Sequence, residues 1–221
     1  AHLDADFVRR RFPTIAEKFI FTTFGGLRIN PNVNLHSETG WSAELGLRRG
    51  VAISEFSAFL DLAAFISEYQ DMMEFTFDVA SFGFQSQNVG DTRIKGYEAS
   101  ITGKGKIFGL ETSLLTGYTY VDPKFASFGL DLPEGSEGRG AAVNSSVCND
   151  PTDPQRERCR NVLKYRYRHT FKFDAETKAG KLTIGIAALY NSFMENIDAI
   201  FEAPFVVPGL QQFRKENNGG D

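Results

Sequence analysis

From Trp41 to Asp71 the chain alternates apolar and polar residues with few interruptions. Trp41, Ala43, Leu45 and Leu47 share one face, and Ser42, Glu44, Gly46 and Arg48 share the other. Further on, Phe56, Ala58, Leu60, Leu62, Ala64 and Ile66 form an unbroken apolar face. A period of two marks β-strands with unlike surroundings on their two sides. The pattern predicts strands over 41–49 and 55–69, joined by a turn around Gly50. The second exceeds the ~9–11 tilted residues that cross a bilayer. A transmembrane hairpin is the reading against which the rest of the chain is tested.

The same period recurs. Leu3, Ala5 and Phe7 alternate in residues 1–11, and Pro13 excludes a central strand just after them. Thr14 and Glu17 have the spacing of a capping box, which predicts one short helical turn. Residues 74–77 can extend the sheet, while 81–87 read as loop. A third strand starts near Thr92 with Ile94, Tyr97, Ala99 and Ile101; its phase skips at Lys95-Gly96, where a bulge is expected, and it ends in a turn at 103–105. A fourth strand covers 110–120, with Leu115 out of phase, and a long polar segment covers 122–163. The fifth, 165–176, alternates Tyr165, Tyr167, His169, Phe171 and Phe173 against Arg166, Arg168, Thr170, Lys172 and Asp174. A turn at 178–181 leads to the sixth, with Leu182, Ile184, Ile186, Ala188 and Tyr190 on one face.

Connections in this reading alternate between long and short. That asymmetry belongs to outer-membrane barrels, which have short periplasmic turns and long extracellular loops. Gly50, Gly105 and Gly180 then mark the periplasmic rim, and the loops containing Pro31, Phe82, Cys148 and Pro208 lie outside. Tyr118, Tyr120, Tyr165 and Tyr167 fall near the outer rim, where an aromatic girdle belongs.

Composition changes this picture little. Hydrophobic residues make up 42% of the 221, and no stretch approaches the ~20 apolar residues of a membrane helix. A barrel averages out polar because its two faces alternate. A net charge of −4 without a basic block excludes nucleic acid as a partner. Cys148 and Cys159 lack the spacing of a zinc site; in an oxidising compartment their separation allows a loop disulfide. His2, His36 and His169 are scattered, and Asn149, Asp150 and Asp153 lack EF-hand spacing. The Gly-rich 134–140 stretch has no P-loop Lys-Ser/Thr. No catalytic, metal or cofactor constellation emerges, so an enzyme is not expected. Arg166, Arg168 and Lys172 line one face, where pairing with Asp61, Glu98, Glu111 or groups of a plug on neighbouring lumen faces is expected ahead of attracting an anionic ligand into the lumen.

Several segments together resemble the C-terminal barrel region of TonB-dependent outer-membrane receptors. Arg11-Phe12-Pro13-Thr14-Ile15-Ala16-Glu17-Lys18-Phe19 is similar to that family's R-x-P-t-i-x-E-x-f segment. Asn30-Pro31-Asn32, Leu35, Glu38 and then Glu44-Leu45-Gly46 resemble its N-P-x-L-x-x-E…E-x-G pattern. Tyr69-Gln70-Asp71-Met72-Met73, Asn88-Val89-Gly90 with Gly96-Tyr97-Glu98, and Gly117-Tyr118-Thr119-Tyr120-Val121-Asp122 continue the series. Met73 stands where Ile or Val is usual, and His36-Ser37 where Lys-Pro is usual.

The resemblance implies an all-β, antiparallel up-and-down transmembrane β-barrel fragment, residues 1–221 being part of a barrel of ~22 strands. It implies a Gram-negative outer-membrane location and energy-coupled uptake of a scarce ligand: an iron chelate, haem, cobalamin, a glycan or a peptide. The implied partners are the bilayer, a small-molecule or oligomeric ligand at the outer loops, and the TonB complex, contacted through an N-terminal plug region not found among these residues. The Phe-rich outer loops (Phe75, Phe77, Phe82, Phe84, Phe125, Phe128) either offer a surface for a ligand or a surface lipoprotein or pack the loops against each other. Some six strands cannot close a barrel, so the chain is expected to be a piece of a larger polypeptide. The competing readings are a passive porin or adhesin barrel and a soluble β-sandwich that binds carbohydrate.

Overall fold

The computed structural model describes residues 2–24, 27–78, 81–126 and 162–216. Among these residues nine strands form one sheet: β1 (His2–Arg11), β2 (Thr22–Phe24), β3 (Leu27–Ile29), β4 (Glu38–Ile53), β5 (Phe56–Asp78), β6 (Gly83–Ile107), β7 (Leu110–Phe125), β8 (His169–Ala179) and β9 (Leu182–Asn191). The spatial order is β1-β4-β5-β6-β7-β8-β9, each strand antiparallel to its neighbour. β2 and β3 form a small hairpin that joins β6 in parallel at Ile29 and Phe84. The described residues also hold three short helices: α1 (Ile15–Phe19), α2 (Ala199–Glu202) and α3 (Leu210–Glu216).

Register decides which residues share a side, because directly paired residues point the same way. Leu45, Ala64, Tyr97, Tyr120 and His169 are paired in one row across the sheet. Leu47, Leu62, Ala99, Tyr118, Phe171 and Tyr190 make the next. From the Leu45 row to the turns the rows on this face are mainly apolar, and charge enters only toward the loop end, where Trp41 is in line with Glu68, Arg93 and Lys124. Arg49, opposite Leu60, is long enough to carry its charge toward the rim. The other face carries Glu44, Arg48, Asp61, Glu98, Lys104, Glu111, Lys172 and Asp174, and Arg48 grips Asp61 with two nitrogens. Leu115 falls there too, opposite Thr102 and Asp174, which explains its phase.

No second sheet covers the apolar face among the described residues, and Leu45, Leu47, Leu62, Ile184, Ile186 and Tyr190 are left exposed. A sandwich would bury such a face in a core; a barrel wall turns it to lipid. The sandwich reading is overturned. Tyr97 lies between Tyr118 and Tyr120 (centroids 6.0 and 5.1 Å away), with His169 beside them, a girdle at one end of the apolar rows.

The turns at the other end differ from expectation. β4 runs through Gly50 to Ile53, and the chain reverses at Ser54-Glu55, with Ser54 at φ +54°. Similarly β6 runs through 103–105 and reverses at Phe108-Gly109, both at positive φ as a tight hairpin requires. Gly103 and Gly105 serve close approach instead. A Cβ at Gly103 would lie 2.7 Å from the Phe56 ring, and one at Gly105 2.1 Å from the Glu55 carbonyl oxygen. The turn at Gly180-Lys181 stands as expected.

At the loop end the strands outrun the membrane. β5 has 23 residues and β6 has 25, so 81–87 is mostly strand rather than loop, and the connection near Phe82 is short. Two register shifts, between Tyr69 and Met73, break the alternation and hid this extension. Pairing is continuous through Lys95-Gly96, so the expected bulge there is absent. Ile94 points the other way because it packs on the buried Val89–Phe125–Leu163 cluster. β8 begins at His169 rather than at 165, since Tyr165 has φ +57° and Tyr167 makes only an isolated bridge with Met194. The capping box is present: Glu17 N–H donates to Thr14 Oγ1 at 3.2 Å, and Thr14 N–H to Glu17 Oε2 at 2.7 Å.

Replacing Leu62 with Arg puts a charge near the middle of the lipid face, at a cost of ~2–4 kcal/mol. Ala63→Arg points to the polar side, opposite Glu98, and is expected to cost much less. Urea unfolding of the intact receptor in lipid vesicles checks the difference.

Candidate functional site

The β5–β6 hairpin beyond Asp71 would present two bare edges, and both are tied down. On the β6 side Asn30 N–H donates to the Phe84 carbonyl at 2.7 Å, and the Asn32 amide to that of Ser86 at 2.9 Å. On β5, Met73 N–H donates to Glu38 (2.8 Å) and Phe77 N–H to Asp198 Oδ2 (2.9 Å). The last bond is long-range in sequence. It brings the segment after β9 back across the wall onto the hairpin.

Asp198 is the hub of that contact. Its carboxylate accepts from Phe77 N–H, from Lys164 Nζ and from the Tyr165 hydroxyl. Lys164 and Asp198 are 0% and 1% exposed. A carboxylate that far from water is tolerable because a cation and two further donors surround it. Burial and the neighbouring Asp198 push the Tyr165 hydroxyl well above its usual range, so it stays a donor. Arg168 bridges Asp122 and Glu195; burial opposes its charge, but the two carboxylates more than offset that and hold it protonated. Arg214 pairs with Glu202 at 3.1 Å and donates to the carbonyls of Met194 and Glu195. Arg166 reaches Glu74 at 3.2 Å, and burial drives the Glu74 carboxyl upward despite Arg166 and Lys164.

Between these clamps lies a cleft of about 480 Å³, lined by Ile29, Met73, Glu74, Phe75, Phe84, Tyr165, Arg166 and Phe201. Phe75 stacks on Phe84 with centroids 5.4 Å apart, and Phe77 meets Phe84 and Phe82 edge-on. A mostly apolar concavity with a few convergent polar groups is what small-molecule sites look like.

The Phe75, Phe77, Phe82 and Phe84 set read from the sequence is thus brought together, while Phe125 joins the separate Val89–Leu163 cluster. Arg166 and Arg168 are paired, with Glu74, Asp122 and Glu195 rather than with the partners expected; Asp61 takes Arg48, and Glu111 lies 3.9 Å from Lys178. Lys172 stays on the polar face of the wall. Tyr165 is drawn from the girdle into the Asp198 cluster. His169 meets the Tyr118 hydroxyl at 2.7 Å. Phe128, Cys148 and Cys159, with Asn149, Asp150 and Asp153, lie outside the described residues. Sequence reasoning missed Ile29, Glu74, Lys164, Asp198 and Phe201. The acids and Arg214 of the tail were the available signal.

A lipid-facing wall whose surplus strand length builds a clamped aromatic cleft at one end suits an outer-membrane receptor. The model of the TonB dependent receptor-like β-barrel family matches residues 10–146, more than half of the chain. The chain belongs to that family. Among curated proteins none matches it. The family is one of outer-membrane receptor barrels, in which an exposed apolar face of this kind meets lipid.

Lys164→Met leaves Asp198 as an uncompensated buried charge and is expected to cost ~3–5 kcal/mol locally. Limited proteolysis of the intact receptor would show cleavage within 192–216, with the transmembrane wall still resistant.

Burial raises the Asp122 carboxyl, but hydrogen bonds from Arg168 and Lys124 prevail and hold it below its usual range. A depressed folded-state value means its stabilisation is full above the unfolded value of ~3.9 and is lost as pH falls through the folded one. The urea midpoint of the intact receptor should fall on acidification through that window, and less steeply in Asp122→Asn.

Proposed function

We propose that this chain supplies wall and outer ligand platform to a receptor that takes up a scarce ligand by energy-coupled transport, and that it is not an enzyme. The observation that carries the reading is the clamped aromatic cleft on the extracellular end of a lipid-facing wall of this family. An unselective passive pore needs no binding cleft, and this one is held in place by the buried Lys164–Asp198 pair. The polar face lines the lumen, and a concavity of about 670 Å³ along Ser57, Phe59, Thr102, Lys104, Leu115 and Asp174 offers a plug domain a seat there. In this reading the TonB complex acts on the plug and the wall stays still. The exposed Phe82 rim is the surface to which a surface lipoprotein would dock.

The test compares spent medium from three strains: wild type, one lacking this receptor, and one lacking the energy-transducing protein. The expected outcome is that the same component remains unconsumed in both mutants. Normal depletion in the energy-transduction mutant would make the protein a passive channel, and depletion unchanged in both would remove the uptake role.

A further inference from the structure

We infer that the cleft between the β5–β6 hairpin and Phe201 binds a flat aromatic group carrying a carboxylate, with Arg166 as the anion's partner; this rests on the receptor reading and gives its site a ligand class. Phe75 is 47% exposed although its other face stacks on Phe84 at an interplanar angle of 16°. Phe75 lines the cleft, and a ligand ring laid on its exposed part extends that stack. Phe201 and Tyr165, edge-on to one another, line the same cleft, and Phe201 touches Phe84 with centroids 5.8 Å apart.

Two cations stand near the cleft, and one is committed. Lys164 is wholly buried against Asp198. Arg166 is 39% exposed and held by two long bonds, 3.2 Å to Glu74 and 3.4 Å to the Lys164 carbonyl. A guanidinium has five N–H donors in a planar fork, which a carboxylate fills two at a time. Apart from Arg166 the lining is apolar except for the Glu74 carboxyl and Tyr165, whose hydroxyl is given to Asp198. A second ligand charge finds no cation there, so one planar carboxylate fits better than a dianionic phosphate. Glu74 is the internal competitor for the fork. Burial pushes its carboxyl upward, which lessens the cost of giving up Arg166 to a ligand.

The test is equilibrium dialysis of the intact receptor in detergent micelles against 2-naphthoate, with uncharged 2-naphthamide as control and empty micelles as blank. Arg166→Gln should weaken naphthoate binding about tenfold, the value of one charge-assisted contact, and leave naphthamide unchanged. Phe75→Ala should weaken both probes, and Glu74→Gln should tighten naphthoate by freeing the fork. The Glu74 variant keeps the test decisive if Arg166→Gln does not fold. No naphthoate binding by the wild type, or naphthoate binding untouched by the Phe75 and Glu74 changes, overturns the inference. Dialysis needs no energy source, so failure here with uptake intact rejects the cleft and not the transporter.

Discussion

A bilayer core offers no hydrogen-bond partner, so each backbone N–H and C=O that enters it must be matched by a neighbouring strand. Almost everything in this wall follows from that constraint. The neighbour-to-neighbour order β1-β4-β5-β6-β7-β8-β9 keeps each ladder antiparallel with two-residue turns at one end. The pleat then separates the side chains, so apolar rows can meet lipid while Arg48, Asp61 and Glu98 meet water or protein. Glycines enter where a neighbour must come close, as at Gly103 beneath Phe56.

Beyond the membrane the constraint reverses. Water is available, and a protruding hairpin has no neighbouring strand to complete it. The edges of β5 and β6 are completed instead by β3, Glu38 and Asp198. Ion pairs do here what apolar packing does elsewhere: Lys164–Asp198, Arg168–Glu195 and Arg214–Glu202 fix the segments whose apolar residues are too few to form a core. Such pairs are costly to break one partner at a time and contribute more to a defined geometry than to net stability.

The sequence made the wall legible because a period of two is written residue by residue. The face of each transmembrane strand, including the odd position of Leu115, could be read directly. Turn positions could not, since Gly50 and Gly105 look like turn glycines, and the true reversals at Ser54 and Phe108 put ordinary residues at positive φ. The outer assembly was legible in parts: four phenylalanines pointed to it, and the capping box at Thr14 was visible. Lys164, Glu74 and Asp198 were not, because they meet through long-range contacts that carry no local pattern. Two register shifts near Met72 erased the alternation that would have announced the hairpin.

The bond from Phe77 to Asp198 is made by a backbone N–H, not by the phenylalanine ring. The Asn30–Phe84 and Asn32–Ser86 bonds likewise use the main chain of the hairpin. Fastenings of that kind do not depend on which side chains the hairpin carries. The residues that face a ligand can therefore change by point substitution while the frame that holds them stays in place. A lineage could retune what such a receptor captures without rebuilding the part of it that stands above the membrane.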